Sequence, residues 1–146
     1  MPSEPERTIL VVDDEPLLLN SVAGLCEALG FRVCRASDGE AALPHLDAGI
    51  DLVITDVRMP RLDGLGLLRR IRATAPHLPV IVMTGYPDNP DLASMSSLGV
   101  VGILWRPFRF HELKAMIGRA WPSQSASTPP GLPSARGRAG TTARAS

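Results

Sequence analysis

The stretch ILVVDDEP, residues 9–16, sets a run of core residues directly against the densest negative charge in the chain. Ile9, Leu10, Val11 and Val12 have the length and composition of a buried strand. Asp13, Asp14 and Glu15 then place three carboxylates side by side. Neighbouring carboxylates repel, and burying them is costly unless positive charge compensates. Two readings follow from these eight residues alone. One is a solvated turn that caps a helix; the other is a site for a cation or a phosphoryl group. The rest of the chain decides between them.

Outward from this stretch, strand-like and helix-like segments alternate. Residues 8–13 form the first apolar run. Residues 16–29 carry apolar positions at Leu18, Val22, Leu25 and Leu29, a helical spacing that Gly30 ends. FRVCRA (31–36) alternates apolar and polar as a half-exposed edge strand does. Residues 38–49 read as a short helix capped by Asp38, which Pro44 should kink or shorten. DLVITD (51–56) is a second buried strand in pattern, and 64–76 an amphipathic helix with Leu67, Leu68 and Ile71 inward and Arg69, Arg70 and Arg72 outward. PVIVMT (79–84) is another apolar strand. Asp88 or Asn89 caps a helix that has Pro90 in its first turn and runs to about Leu98. VVGILW (100–105) is the last strand, and 109–120 the last helix. Five β-α units predict an α/β protein with a parallel sheet and helices on both faces. With 31–36 at an edge, the flavodoxin-like strand order 2-1-3-4-5 fits, and its switch point falls between the first and third strands.

In such sheets the site lies outside the carboxyl ends of the strands. The first strand ends in Asp13 and Asp14, the third in Asp56, the fourth in Thr84 and the fifth in Arg106. If the first and third strands are neighbours, Asp13, Asp14 and Asp56 converge, and they must protonate or share a cation. Mg2+, hard and oxygen-seeking, suits them. A carboxylate beside such an ion can attack a phosphoryl group and form an acyl phosphate. Thr84 offers a hydroxyl to the transferred oxygens and Arg106 a fixed cation with a fork of donors. Each residue alone reads as a strand end or a cap; their joint occurrence in order favours the phosphoryl site.

The length suits one domain, and the formal net charge of +0 gives no support to nucleic-acid binding. Every acidic residue precedes Pro122, while Arg136, Arg138 and Arg144 follow it. Cys26 and Cys34 lack metal or redox spacing and read as small buried hydrophobes. No apolar stretch is long enough to span a membrane, the N-terminus lacks the features of a signal peptide, and a cytoplasmic location is expected. Residues 1–6 and the Pro/Ser/Ala/Arg-rich stretch 122–146 read as disordered, the latter a tail or a linker, and 7–121 as the folded domain.

The motifs VVDDEP, DVRMPRLDG, VMTG and WRPF resemble the signatures of bacterial response-regulator receiver domains over about residues 7–120. The resemblance implies that Asp56 is the phosphoacceptor. It implies that Asp14 and Asp56 ligate Mg2+ directly with the backbone carbonyl of Arg58, and that Asp13 acts through water. Thr84 would turn toward the phosphoryl oxygen, Gly64 would free the backbone after the site, and Gly85 would leave the phosphoryl path open. The donor would be a phosphohistidine on a histidine kinase or phosphotransfer protein. The chain departs from the family pattern twice. Arg106 stands where Lys is usual, although Lys114 is the only lysine of the chain and Arg fills nearly every basic position. Ile103 stands where an aromatic switch residue is usual. Period-two geometry puts Trp105 on the face of Ile103, where it either supplies the aromatic of a partner surface or covers the sheet edge. The Arg106–Pro107 bond would be cis by the same resemblance.

The expected function is that of a stand-alone receiver, a signalling protein and not an enzyme. It is phosphorylated on Asp56 and acts by binding another protein, with no direct DNA contact and no membrane. Two readings compete. One keeps the fold as a phosphate-independent interaction module, on the evidence of Arg106 and Ile103. The other is a haloacid-dehalogenase-type phosphatase, which DDE in place of DxD on the first strand disfavours. A dinucleotide site at GLGLLR (64–69) lacks the third glycine and follows the wrong strand.

Overall fold

The computed structural model describes residues 6–121. Five strands, β1 Thr8–Val12, β2 Arg32–Ala36, β3 Leu52–Asp56, β4 Val80–Thr84 and β5 Gly102–Trp105, form one parallel sheet in the order β2-β1-β3-β4-β5. The helices are α1 Pro16–Ala28, α2 Gly39–Ala42, α3 Gly64–Thr74, α4 Asp91–Ser97 and α5 Phe110–Ala120. The whole sheet lies in one compact unit that ends at Met116. The expectations for residues 1–5 and 122–146 fall outside the described residues. Glu6, expected to belong to a disordered end, accepts a hydrogen bond from Arg32 Nε at 2.6 Å.

The three central strands are apolar apart from Thr8, Thr55, Asp56 and Thr84, because both of their faces are covered. Leu10, Val12, Val53, Val80 and Val82 pack in one cluster with Leu67, Leu68 and Ile71 of α3 and with Leu92 and Met95 of α4. The alternate positions Ile9, Val11, Leu52, Ile54, Ile81 and Met83 are also fully buried, as a doubly wound sheet requires. In α1 the buried residues are Val22, Ala23 and Cys26, while Leu17 and Leu18 are exposed. The inward stripe is thus rotated from the one read in the sequence. Small side chains allow close approach, and Ala23 and Cys26 take the inward positions. Cys26 is buried and Cys34, on the edge strand, is only half-buried; both are free thiols. Burial pushes the Cys26 thiol up to about 12, which keeps it an inert core side chain.

Pro44 acts as its chemistry demands: α2 stops at Ala42 and the chain continues as a 3₁₀ turn over Leu43–Asp47. Asp38 caps α2, its Oδ1 accepting from the Ala41 N–H at 2.8 Å. Its other oxygen accepts from Arg61 Nε at 2.7 Å, which ties the β2–α2 loop to the β3–α3 loop. That N–H bond first, and then Arg61, hold the Asp38 carboxyl below its ordinary range against the opposing effect of burial.

Candidate functional site

Register brings the acids together. Val12 of β1 pairs with Thr55 of β3, so Asp13 and Asp56 leave the sheet side by side. Asp13, Asp14 and Asp56 each present a carboxylate oxygen, and these atoms lie within 4.8 Å of one another. Asp13 is buried, Asp14 exposed and Asp56 intermediate. An all-oxygen set of this kind suits a hard divalent cation.

Each acid is held by the backbone around it. The Glu15 N–H donates to Asp13 Oδ1 at 3.0 Å, and the Val57 N–H donates to Asp56 Oδ1 at 2.8 Å. The β3–α3 loop returns close to Asp56 because residue 64 is glycine. The Gly64 N–H donates to the Val57 carbonyl at 2.8 Å, and a Cβ at this position would run into the Asp56 carbonyl oxygen. The sequence had suggested backbone freedom here; the structural reason is close approach. Desolvation raises the Asp56 carboxyl above its ordinary value. Arg106 and the Val57 N–H oppose this, and Asp13 and Asp14 add to it.

Arg106 reaches the cluster from the far end of β5. Its N–H donates to the Thr84 carbonyl at 2.8 Å, and its bond to Pro107 is cis. Its Nη2 donates to Asp13 Oδ2, and Nη1 lies 3.6 Å from Asp56 Oδ2. Its side chain is 17% exposed and that of Asp56 14%.

A cleft of about 430 Å³ opens over Asp14, Asp56, Arg58, Gly85, Tyr86 and Arg106. Thr84 is buried beside it but does not line it, and its Oγ1 accepts from the Tyr86 N–H at 3.0 Å. Gly85 does line it, and a Cβ there would meet only ordinary contact. The sequence reading missed the side chain of Arg58, whose guanidinium lies 5.3 Å from the Tyr86 ring centroid and so bridges the mouth of the cleft. The pair joins two loops, and no local pattern announces it. At the sheet edge Ile103 packs partly buried against the core cluster and Leu104 is buried, while Trp105 is 47% exposed.

A doubly wound parallel sheet with three carboxylates and a guanidinium gathered at its switch point defines a flavodoxin-like (βα)5 protein of the CheY-like class. The model of the response regulator receiver domain matches residues 9–118, and the chain belongs to that family. The transcriptional regulatory protein FixJ of Bradyrhizobium diazoefficiens is 40% identical over 115 residues, which cover 77% of this chain and 55% of that protein. The transcriptional regulatory protein CpxR of Escherichia coli strain K12 is 40% identical over 109 residues, covering 75% of this chain and 47% of that protein. The chain thus spans about half the length of the curated relatives it matches. Among solved structures, a response regulator receiver domain protein from Clostridium thermocellum superposes with a TM-score of 0.75 at 33% identity, covering 81% of this chain and 96% of that one. The response regulator protein TrrA from Thermotoga maritima, solved in complex with Mg2+-BeF, has a TM-score of 0.71 at 31% identity, covering 78% and 98%. Among the described residues no helix is long and apolar enough to cross a membrane.

Proposed function

We propose that this receiver takes a phosphoryl group onto Asp56 from a phosphohistidine of a histidine kinase or phosphotransfer protein. The observation that carries the reading is the convergence of three carboxylates within 4.8 Å at the rim of the sheet, open to a cleft. Mg2+ would be held by Asp14 and Asp56, by Asp13 through water and by the backbone carbonyl of Arg58. When bound it neutralises charge on the phosphoryl oxygens. The Val57 N–H fixes one oxygen of Asp56 and so orients the carboxylate. An Asp56 oxygen attacks phosphorus, the bond from phosphorus to the donor nitrogen breaks, and the imidazole leaves with the electron pair. Thr84 gives up its bond from Tyr86 and donates its hydroxyl to a phosphoryl oxygen. Arg106 supplies the second donor, and Gly85 leaves room between them.

The chain transfers a phosphoryl group to itself and promotes hydrolysis of its own acyl phosphate, so its role is signalling rather than turnover of a metabolite. The signal leaves through the face that carries Ile103 and Trp105 to a protein target, with no direct DNA contact, in the cytoplasm. Residues 7–121 form the receiver, and 122–146 serve as a tail or a linker. Incubation with Mg2+ and acetyl phosphate should produce a shifted band on a phosphate-affinity gel, lost in Asp56→Asn. One observation favours the phosphate-independent module as a second reading: Arg106 already pairs with Asp13 and Asp56. The absence of a shifted band with any small donor or kinase would decide for that module.

A further inference from the structure

The β3–α3 loop, residues 57–63, is tied at both ends and again in its middle, and the middle tie comes from another part of the chain. At the ends, the Val57 N–H donates to Asp56 Oδ1 and Asp63 Oδ1 accepts from the Gly66 N–H. In the middle, the Arg61 guanidinium donates from Nε and Nη2 to one oxygen of Asp38, and the Gly39 N–H donates to the Leu62 carbonyl at 2.9 Å. Asp38 is buried and its other oxygen caps α2, so it is a fixed anchor. Gly39 permits the approach, since a Cβ there would lie 2.3 Å from the Leu62 carbonyl oxygen. Arg61 has a φ of 66°, the one left-handed backbone outside glycine among the described residues. A bulky L residue keeps that conformation only where its surroundings over-determine it, and the bonds to Asp38 do so. On the side of Asp14 the same loop borders a hollow of about 360 Å³ lined by Asp14, Arg58, Met59, Pro60 and Asp63, so no packed wall sets its position there.

We propose that Asp38 is a positioning residue for the divalent-ion site: through Arg61 it presets the β3–α3 loop and, with it, the backbone carbonyl of Arg58. This rests on the phosphoacceptor reading above, in which that carbonyl is a ligand, and it brings the β2–α2 loop into the support of the site. Only Met59 and Pro60 separate Arg58 from Arg61. Proline fixes its own φ and restricts the residue before it, so the two transmit position with little slack. A main-chain carbonyl has no rotamer with which to seek an ion; either the loop is already in place or it must be ordered as the ion binds. Ordering at that moment weakens binding. With Asp38 as anchor, the ordering is completed on folding instead. The guanidinium suits this task because it brings two donors to one oxygen, where an ammonium brings a single point of charge.

The test is a calorimetric Mg2+ titration of the full chain, of Asp38→Asn, Arg61→Gly and Arg61→Lys, and of the Asp38→Asn/Arg61→Gly double variant, each well below its own Tm. Asparagine keeps a side-chain oxygen for the α2 cap, and glycine takes the backbone of residue 61 without strain, so both cut the tie and spare the local fold. Asp38→Asn and Arg61→Gly should each weaken the dissociation constant about tenfold. The double variant should lose no more than either, and Arg61→Lys should lose less. The Met59 N–H, which shares its peptide bond with the Arg58 carbonyl, gives a second readout. Its amide resonance should be a single sharp line in the wild type and broadened in Arg61→Gly until Mg2+ saturates. Arg61→Gly keeps the inference testable if Asp38→Asn fails to fold, because the Arg61 side chain is 60% exposed. Dissociation constants within twofold of wild type, losses that add in the double variant, or a Met59 line that Arg61→Gly leaves unchanged overturn the inference. The loop would then be held by the packing of Met59 and Leu62 against the core, and the phosphoacceptor reading would stand. A folded wild type that binds no Mg2+ and takes no label from acetyl phosphate overturns both.

Discussion

Asp13 and Asp56 are the same side chain in two settings, and the contrast governs what each tolerates. Asp13 is fully buried, with the nearer Arg106 nitrogen on one oxygen and the Glu15 N–H on the other. Asp56 has the more distant arm of Arg106 and faces two other acids, and burial lifts its carboxyl above the ordinary value. A raised carboxyl favours folding only while it is protonated. Its contribution is therefore complete below the ordinary carboxylate value of about 3.9 and is lost as pH climbs through the raised folded value. Asp56→Asn carries no such charge. Without metal, in chelator, it should be more stable than wild type near neutral pH by roughly 0.5–2 kcal/mol. That gap should close toward about pH 4. Denaturant midpoints at the two pH values check this; a gap that is constant or reversed would contradict it. The positions of these acids were readable because they follow apolar runs. Their unequal environments were not, because they depend on which neighbours the register supplies.

Elements show where local reading works and where it stops. Asp38 as a cap and Pro44 as a helix stop follow from the chemistry of single residues, and both hold. Arg72 was read as an outward residue of α3 because its neighbours Arg69 and Arg70 are. Instead its Nε donates to the Leu98 carbonyl at 2.7 Å, Nη1 to Leu78 at 2.8 Å and Nη2 to Gly99 at 3.0 Å. Desolvation lowers its guanidinium from the ordinary value. Helix ends leave carbonyls without partners, and a guanidinium from a neighbouring helix meets that need at the end of α4. Helical periodicity within α3 cannot reveal it, since the acceptors lie on other elements. Arg72→Ala should cost about 2–3 kcal/mol and speed amide exchange at Leu98 and Gly99, whose N–H groups bond back into α4. Unchanged exchange there would mean that α4 is held by its apolar contacts, Leu92 and Met95, alone.

Across the whole molecule the alternation of segments was enough to specify the sheet, because an all-parallel order with one alternating edge strand leaves few topologies. The site was legible to the extent that it consists of strand-end residues. The Arg58–Tyr86 bridge was not, because it arises where two loops meet. If the acid cluster binds Mg2+, the ion should stabilise the whole fold. At about a hundred times its dissociation constant it adds about 2.7 kcal/mol, a rise in Tm on the order of 10 °C, and Asp56→Asn should lose most of that rise. The strand order also has a temporal meaning. A ribosome makes Asp13, Asp14, Asp56 and Arg58 early and Arg106 only after β5, so the guanidinium that pairs with Asp13 and Asp56 is the last part of the rim to be made.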